Sequence, residues 1–210
     1  MSHYDDEDQA QRVKQWWKDN WMALAAGLVL GLGAIVGWDQ YKAHKADRSV
    51  EAARMFEDLK TALVSDKADE ANAIADKLKT DYAKTPYAAQ ALLRVAQHAV
   101  DKGRFDEALP PLAWVAQNAE DEMLKPLATL RQARVLSQQG KFDEAIKLLD
   151  GTIEESYKPL AEELRGDILL AQGNRKGARE SFEKALASSD AAAANRETLQ
   201  RKIDDLADAA

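Results

Sequence analysis

Gly103-Arg104-Phe105-Asp106-Glu107-Ala108 returns as Gly140-Lys141-Phe142-Asp143-Glu144-Ala145, and more loosely as Gly173-Asn174-Arg175-Lys176-Gly177-Ala178, at spacings of 37 and 33 residues. Each copy reads as the turn between two antiparallel helices. Glycine accepts the positive φ that ends the first helix, Asp or a neighbour opens the second, and a small alanine lets the two axes cross closely. Fixed offsets agree with this reading: Ala96, Ala133 and Gly166 stand seven residues before the glycines, and Leu112, Leu149 and Phe182 stand nine after them. A looser unit precedes these three, centred on Ala71.

Spacings of 33 and 37 bracket the roughly 34-residue period of tetratricopeptide-like helix pairs, units that bury their apolar faces only by stacking on one another. The expected fold is all-α, a solenoid of helix pairs. Apolar periodicity predicts helices near 70–84, 87–101, 106–119, 123–139, 142–150, 158–172 and 175–188. A final helix near 193–207, with Leu199, Ile203 and Leu206 as its stripe, caps the array. Upstream, Ala52, Phe56, Leu59 and Leu63 mark one helix and Ala71, Ile74, Ala75 and Leu78 the next, with Pro86 placed to start another. Pro110 and Pro111 break the pattern, and they are expected to kink or delay the helix that holds them.

Composition supports helices and excludes several chemistries. Of 210 residues, 39 are Ala and 24 Leu, against 10 Gly and 5 Pro. With no Cys there is no disulfide, thiol or zinc-thiolate chemistry. A net charge of −7 and a pI near 5.1 argue against nucleic acid as a partner, because phosphate binding draws on clustered Lys and Arg.

The mean hydropathy of −0.50 conceals one segment, Trp21 to Trp38, WMALAAGLVLGLGAIVGW. It holds no charge, and at 1.5 Å per residue it extends roughly 27 Å, close to the hydrocarbon thickness of a bilayer. Trp16, Trp17 and Trp21 at one end, with Trp38 and Tyr41 at the other, stand where interfacial aromatic anchors stand. Domains are expected at 1–20 (a short tail), 21–38 (a transmembrane helix) and 39–210 (the repeats). The acidic start (Asp5, Asp6, Glu7, Asp8) and the absence of an A-x-A-like site soon after Trp38 favour an uncleaved anchor over a signal peptide. Flanking charge leaves orientation open, with Arg12, Lys14 and Lys18 before the span and Lys42, Lys45, Arg48 and Arg54 after it. Within the span, Gly27 with Gly31 and Gly33 with Gly37 form two GxxxG pairs, which suit close helix packing in lipid or the ordinary tolerance of membrane helices for glycine.

No catalytic constellation is found, and neither cofactor nor metal is expected. His3, His44 and His98 have no common helical face. The acidic pairs Asp106-Glu107, Glu154-Glu155 and Asp204-Asp205 read as caps and solvated helix faces. A binding surface remains. In stacked pairs the first helices line the concave side, which puts Gln90, Leu93, Gln97, Leu127, Leu130 and Arg134 there, joined by Leu160 and Asp167. Leu alternating with Gln and Arg suits extended polypeptide; alternatively, neighbouring helices cover the leucines and the groove is only solvated.

The acidic tail, the Gly31–Trp38 ending GLGAIVGW and the Leu164–Arg179 stretch LRGDILLAQGNRKGAR together resemble the YfgM family, ancillary subunits of the bacterial SecYEG translocon. That resemblance implies a single-pass inner-membrane protein with a cytoplasmic tail and periplasmic repeats. It further implies association with the translocon, with a PpiD-like membrane-anchored chaperone and with unfolded secretory proteins, and no catalytic residue. The alternative is a membrane-tethered repeat scaffold facing the cytoplasm.

Overall fold

The structure, a computed structural model, describes residues 3–151, 153–190 and 195–207. All regular structure among them is helical: α1 (His3–Val64), α2 (Ala68–Asp81), α3 (Pro86–Asp101), α4 (Phe105–Asn118), α5 (Leu124–Gln138), α6 (Phe142–Leu149), α7 (Lys158–Ala171), α8 (Arg175–Ser188) and α9 (Arg196–Ala207), with a short 3-10 turn at Glu155–Tyr157. The chain divides into two compact units, Met1–Arg48 and Ser49–Ala210.

The first unit is a single stretch of helix. The described side chains from Arg12 to Arg48 are exposed, apart from half-buried Asn20, whose Nδ2 donates to the Trp16 carbonyl over 2.8 Å. Among the described residues no single helix is long and apolar enough to cross a membrane, but Arg12–Ala23 and Ala25–Val64, bent by 43°, satisfy that length and composition together. The bend falls inside 21–38, the segment expected as a transmembrane helix. Nothing local explains it, since the segment has no proline and its first glycine is Gly27.

The second unit is the expected array. Observed helix ends lie within three residues of those read from periodicity, and the expected turn glycines have positive φ: +70° at Gly103, +74° at Gly140 and +81° at Gly173. The fourth such residue is Asp66, at φ +56°. It stands 37 residues before Gly103, so the looser first unit keeps the register of the others. All four turns make the same pair of hydrogen bonds. The amide of the left-handed residue donates three residues back (Asp66 to Leu63, Gly103 to Val100, Gly140 to Ser137, Gly173 to Leu170). The next amide donates five back (Lys67 to Ala62, Arg104 to Ala99, Lys141 to Leu136, Asn174 to Leu169), which completes a Schellman motif each time.

Alanine sits where two helices cross. Ala71, Ala108, Ala145 and Ala178, one per pair, are each fully buried. At Gly166 a methyl group would approach the Phe182 ring to 2.4 Å, so the α7–α8 crossing is closed by the absence of a Cβ. The core runs through the array in three clusters: the end of α1 with α2, α3 and α4, reaching Ala128 and Val135 of α5; then α5 to α7; then α8 with α9, where Leu199, Ile203 and Leu206 are buried as a capping stripe. Side chains also tie consecutive pairs: Gln139 Nε2 donates to Asp106 at 2.8 Å and Gln172 Nε2 to Asp143 at 3.2 Å.

Two details correct the sequence reading. The aspartates after the turn are not the capping residues: Arg104, Lys141 and Asn174 hold those positions, and only Asn174 caps with its side chain, accepting from the Gly177 amide at 3.0 Å. The double proline does not delay its helix either, since α4 begins at Phe105 and continues through Pro110 and Pro111. Both lie in the second turn, where they remove two amide donors, and the helix continues past them to Asn118.

Candidate functional site

The concave candidates belong to α3 and α5, first helices of their pairs, and the repeat spacing sets Gln90 beside Leu127 and Leu160, Leu93 beside Leu130 and Glu163, and Gln97 beside Arg134 and Asp167. Gln90, Gln97 and Arg134 are exposed and Leu127 is half-buried. Leu93 and Leu130 are not on the surface. At 8% and 7% exposure they belong to the core, covered by neighbouring helices, so they leave the list of partner-facing residues. Three residues past an exposed position a helix has turned by roughly 300°, which is enough to carry a side chain from the open face to the seam between helices. Exposed apolar area in this row comes instead from Leu160, at 46%.

The row closes at the third pair. Lys202 of α9 reaches Asp167 at 2.7 Å and Glu163 at 3.2 Å, and Asn195 donates to Glu163 at 2.9 Å. Partial burial acts to lower the pKa of the Lys202 ammonium, but hydrogen bonds and charge from Asp167, then Glu163, outweigh it and hold the pKa above its ordinary value. Gln97 donates to Asp101 at 2.7 Å, whereas Arg134 makes no ion pair among the described residues. The free polar capacity of the concave side is therefore concentrated on α3 and α5.

In the first unit, the four glycines Gly27, Gly31, Gly33 and Gly37 have no heavy atom within 4 Å of where a Cβ would stand. At 100° per residue the two pairs point in directions about 120° apart, so a single neighbouring helix packs against one pair only.

A third surface was missed. A groove of about 450 Å³ runs between α2 and α4 over the outer side of α3. Its apolar part includes Leu92, Val95 and Trp114, the only tryptophan outside the N-terminal segment, and its wall carries Pro110 and Pro111. His98 also lines it, with Nε2 3.2 Å from Asp66; Lys102 lies 2.8 Å from the same carboxylate. The Lys102 hydrogen bond and charge lower the Asp66 pKa below the usual carboxylate value; desolvation opposes them, and the charge of His98 adds a lesser lowering. Sequence alone marked the prolines only as helix breakers, and the groove exists only once α2 and α4 are set side by side. Among the described residues no three His, Asp or Glu side chains gather as a metal site would require.

A family model described as a tetratricopeptide repeat-like domain matches residues 14–208. The ancillary SecYEG translocon subunit of Escherichia coli (strain K12) is 36% identical over 207 residues, 98% of this chain and 99% of that protein. The protein of the same description from Neisseria gonorrhoeae is 32% identical over 207 residues, with coverage of 98% and 99%. That from Haemophilus influenzae is 31% identical over 182 residues, covering 86% and 88%. Among solved structures, nearly identical TPR-like repeats from Podosopora anserina superpose with a TM-score of 0.56 at 15% identity, over 76% of this chain and 86% of that one, a likeness of fold.

Proposed function

The chain belongs to the tetratricopeptide repeat-like family of ancillary SecYEG translocon subunits, and from that premise we propose that it is a non-enzymatic, membrane-anchored adaptor of the translocon. In this reading residues 1–20 are a cytoplasmic tail, 21–38 cross the inner membrane, and 39–210 form a periplasmic repeat domain. The repeats hold a PpiD-like chaperone and secretory polypeptide as it emerges, through the exposed side chains of α3 and α5.

The observation that carries the reading is the extent of the similarity. It runs over 207 residues of 210, through the apolar segment as well as the repeats, so the relatives named for the translocon share both parts. Burial adds a physical reason. Leu28, Val29 and Leu30 are 65%, 70% and 74% exposed, and each such side chain left in water forgoes about 1.5–3 kcal/mol, which a bilayer restores. The Gly27/Gly31 or the Gly33/Gly37 face supplies a seat for one translocon helix.

A topology reporter tests the arrangement. An enzyme that is active only in the periplasm, fused after Ala210, is expected to be active; activity only of a cytoplasmic reporter establishes the cytoplasm-facing scaffold instead. Mild detergent purification is expected to recover channel and chaperone subunits together, with lower recovery once residues 21–38 are exchanged for an unrelated anchor. Equal recovery after the exchange assigns the contact to the repeats.

A further inference from the structure

We propose that the exposed side of α3 and α5 selects acidic polypeptide: glutamate or aspartate side chains seat on Arg94, Arg131 and Arg134, with a neighbouring apolar residue on Leu127 and Leu160. This selectivity rests on the docking role given above to α3 and α5, and names what that face prefers. On α3, Gln90, Arg94, Gln97 and Asp101 are exposed and fall within an arc of roughly 60° around the helix. One repeat later, 37 residues on, Leu127, Arg131, Arg134 and Gln138 take the same arc of α5. Repeat register therefore sets Arg94 beside Arg131, and Arg134 follows Arg131 by one turn of α5.

The charge of this face is uncompensated at its centre. Toward α1 the same register falls on Glu57 and Lys60, which pair at 2.7 Å; toward α7 it reaches Asp167, which shares Lys202 with Glu163. The acids at both edges thus have a lysine of their own chain. Asp101, at the end of the α3 row, accepts from the Gln97 amide at 2.7 Å. Arg94, Arg131 and Arg134 make no ion pair or hydrogen bond among the described residues, so three positive charges share this arc in a chain of net charge −7. A guanidinium donates five N–H groups and accepts none, and its fork matches a carboxylate. Arg131 is half-buried, so its charge is the least screened of the three. A lysine-rich segment meets like charge here, and a wholly apolar one strips water from the guanidinium groups without replacing its hydrogen bonds. Apolar contact is available one turn before Arg131, where Leu127 is half-buried and Leu160 of α7 is exposed. From Leu127 to Arg134 the helix rises roughly 10 Å, the reach of about three extended residues, so a leucine, a spacer and paired acids fit the row.

The test uses the full chain in phosphatidylcholine nanodiscs and the peptide amide Leu-Ser-Glu-Glu-Ser-Leu, which reads alike in both directions, carries a neutral dye on its amino terminus and is followed by anisotropy. Saturable binding is expected, weaker by about tenfold when glutamine replaces both glutamates, and absent when lysine does. Added salt should weaken the glutamate peptide and leave the glutamine peptide unaffected. Arg131→Gln with Arg134→Gln is expected to bind the glutamate peptide about tenfold more weakly at an unchanged melting temperature, and Arg94→Gln several-fold more weakly. Lysine in place of Arg131 and Arg134 keeps the charge without the fork and should restore part of the affinity. Lys147→Gln removes the same charge from an exposed position on α6, and is expected to leave binding unchanged. No saturable binding of the glutamate peptide, or a loss in Lys147→Gln equal to that of the arginine variants, overturns the proposal. Equal affinity for the glutamate and glutamine peptides also overturns it, while leaving α3 and α5 as a docking face without a preference for acid. The translocon reading is judged separately, by the reporter and the co-purification.

Discussion

Residues 21–38 and the helix pairs from α3 to α8 draw on the same residue types, chiefly Ala, Leu and Gly, and put them to opposite uses. In the first segment apolar side chains surround the helix and stay exposed, and its glycines have open space around them. In the pairs the same residues recur at three- and four-residue spacing and are buried. Each pair hides an alanine completely, and Gly166 has a phenylalanine ring against it. What separates the two regions is the arrangement of apolar residues around the helix. A stripe folds against a neighbouring helix in water, whereas a fully apolar circumference is satisfied only by apolar surroundings on all sides, in a protein core or a bilayer.

The contrast is broken most severely at Phe182. Phe182→Ala removes a fully buried ring that also carries Lys202 Nζ 5.0 Å from its centroid, and it is expected to destabilise the repeat unit by about 3–5 kcal/mol in denaturant titration. Membrane retention of the full chain should not change.

Leu30→Arg makes the reciprocal change. It adds about 2.5–3.5 kcal/mol to the cost of placing the segment in a bilayer, so more chain is extracted from membranes by alkaline carbonate, while the thermal transition of the repeats is unaltered. A loss of repeat stability in this variant would show that the apolar helix contributes to the fold.

Gly166→Ala is smaller. Helix propensity favours alanine by about 1 kcal/mol, but the methyl group must displace the Phe182 ring at 2.4 Å, and the net expectation is a loss of about 1–2 kcal/mol. The same substitution at Gly27, where the site is open, should leave the isolated helix unharmed, as circular dichroism in micelles can report.

The smallest effect concerns Asp66. Its carboxyl pKa is lowered in the folded chain, so its contribution is present above the unfolded carboxylate pKa and disappears as the pH falls through the folded value. Asp66→Asn, which keeps a residue tolerant of positive φ, is expected to lower the melting temperature slightly at pH 7 and to match the parent once both are measured in acid below the lowered folded value. Added salt should shrink the difference at pH 7 as well.

Much of the fold was legible because its signals are local. Gly103, Gly140 and Gly173 take the left-handed conformation their spacing required, and Ala, Leu and Phe at fixed offsets are buried where helices must approach. Asp66 escaped notice because an aspartate does not announce a left-handed turn; only the backbone shows that it repeats the glycine position. Less of the candidate surface was legible. Gln90, Gln97 and Arg134 are exposed as expected, but Leu93 and Leu130 lie at a seam whose cover comes from other helices. The α2–α4 groove joins residues more than forty positions apart, with no pattern in the chain to connect them.

Periodicity and the backbone preferences of single residues were enough to place the helices, their pairing period and the one segment too uniformly apolar to fold on itself. Helix packing settled which leucines became core, where α9 closed the concave row through Lys202, and which side chains line the groove between α2 and α4. Burial and solvent access belong to the relation between helices, and residues on one helix do not specify what the next will cover.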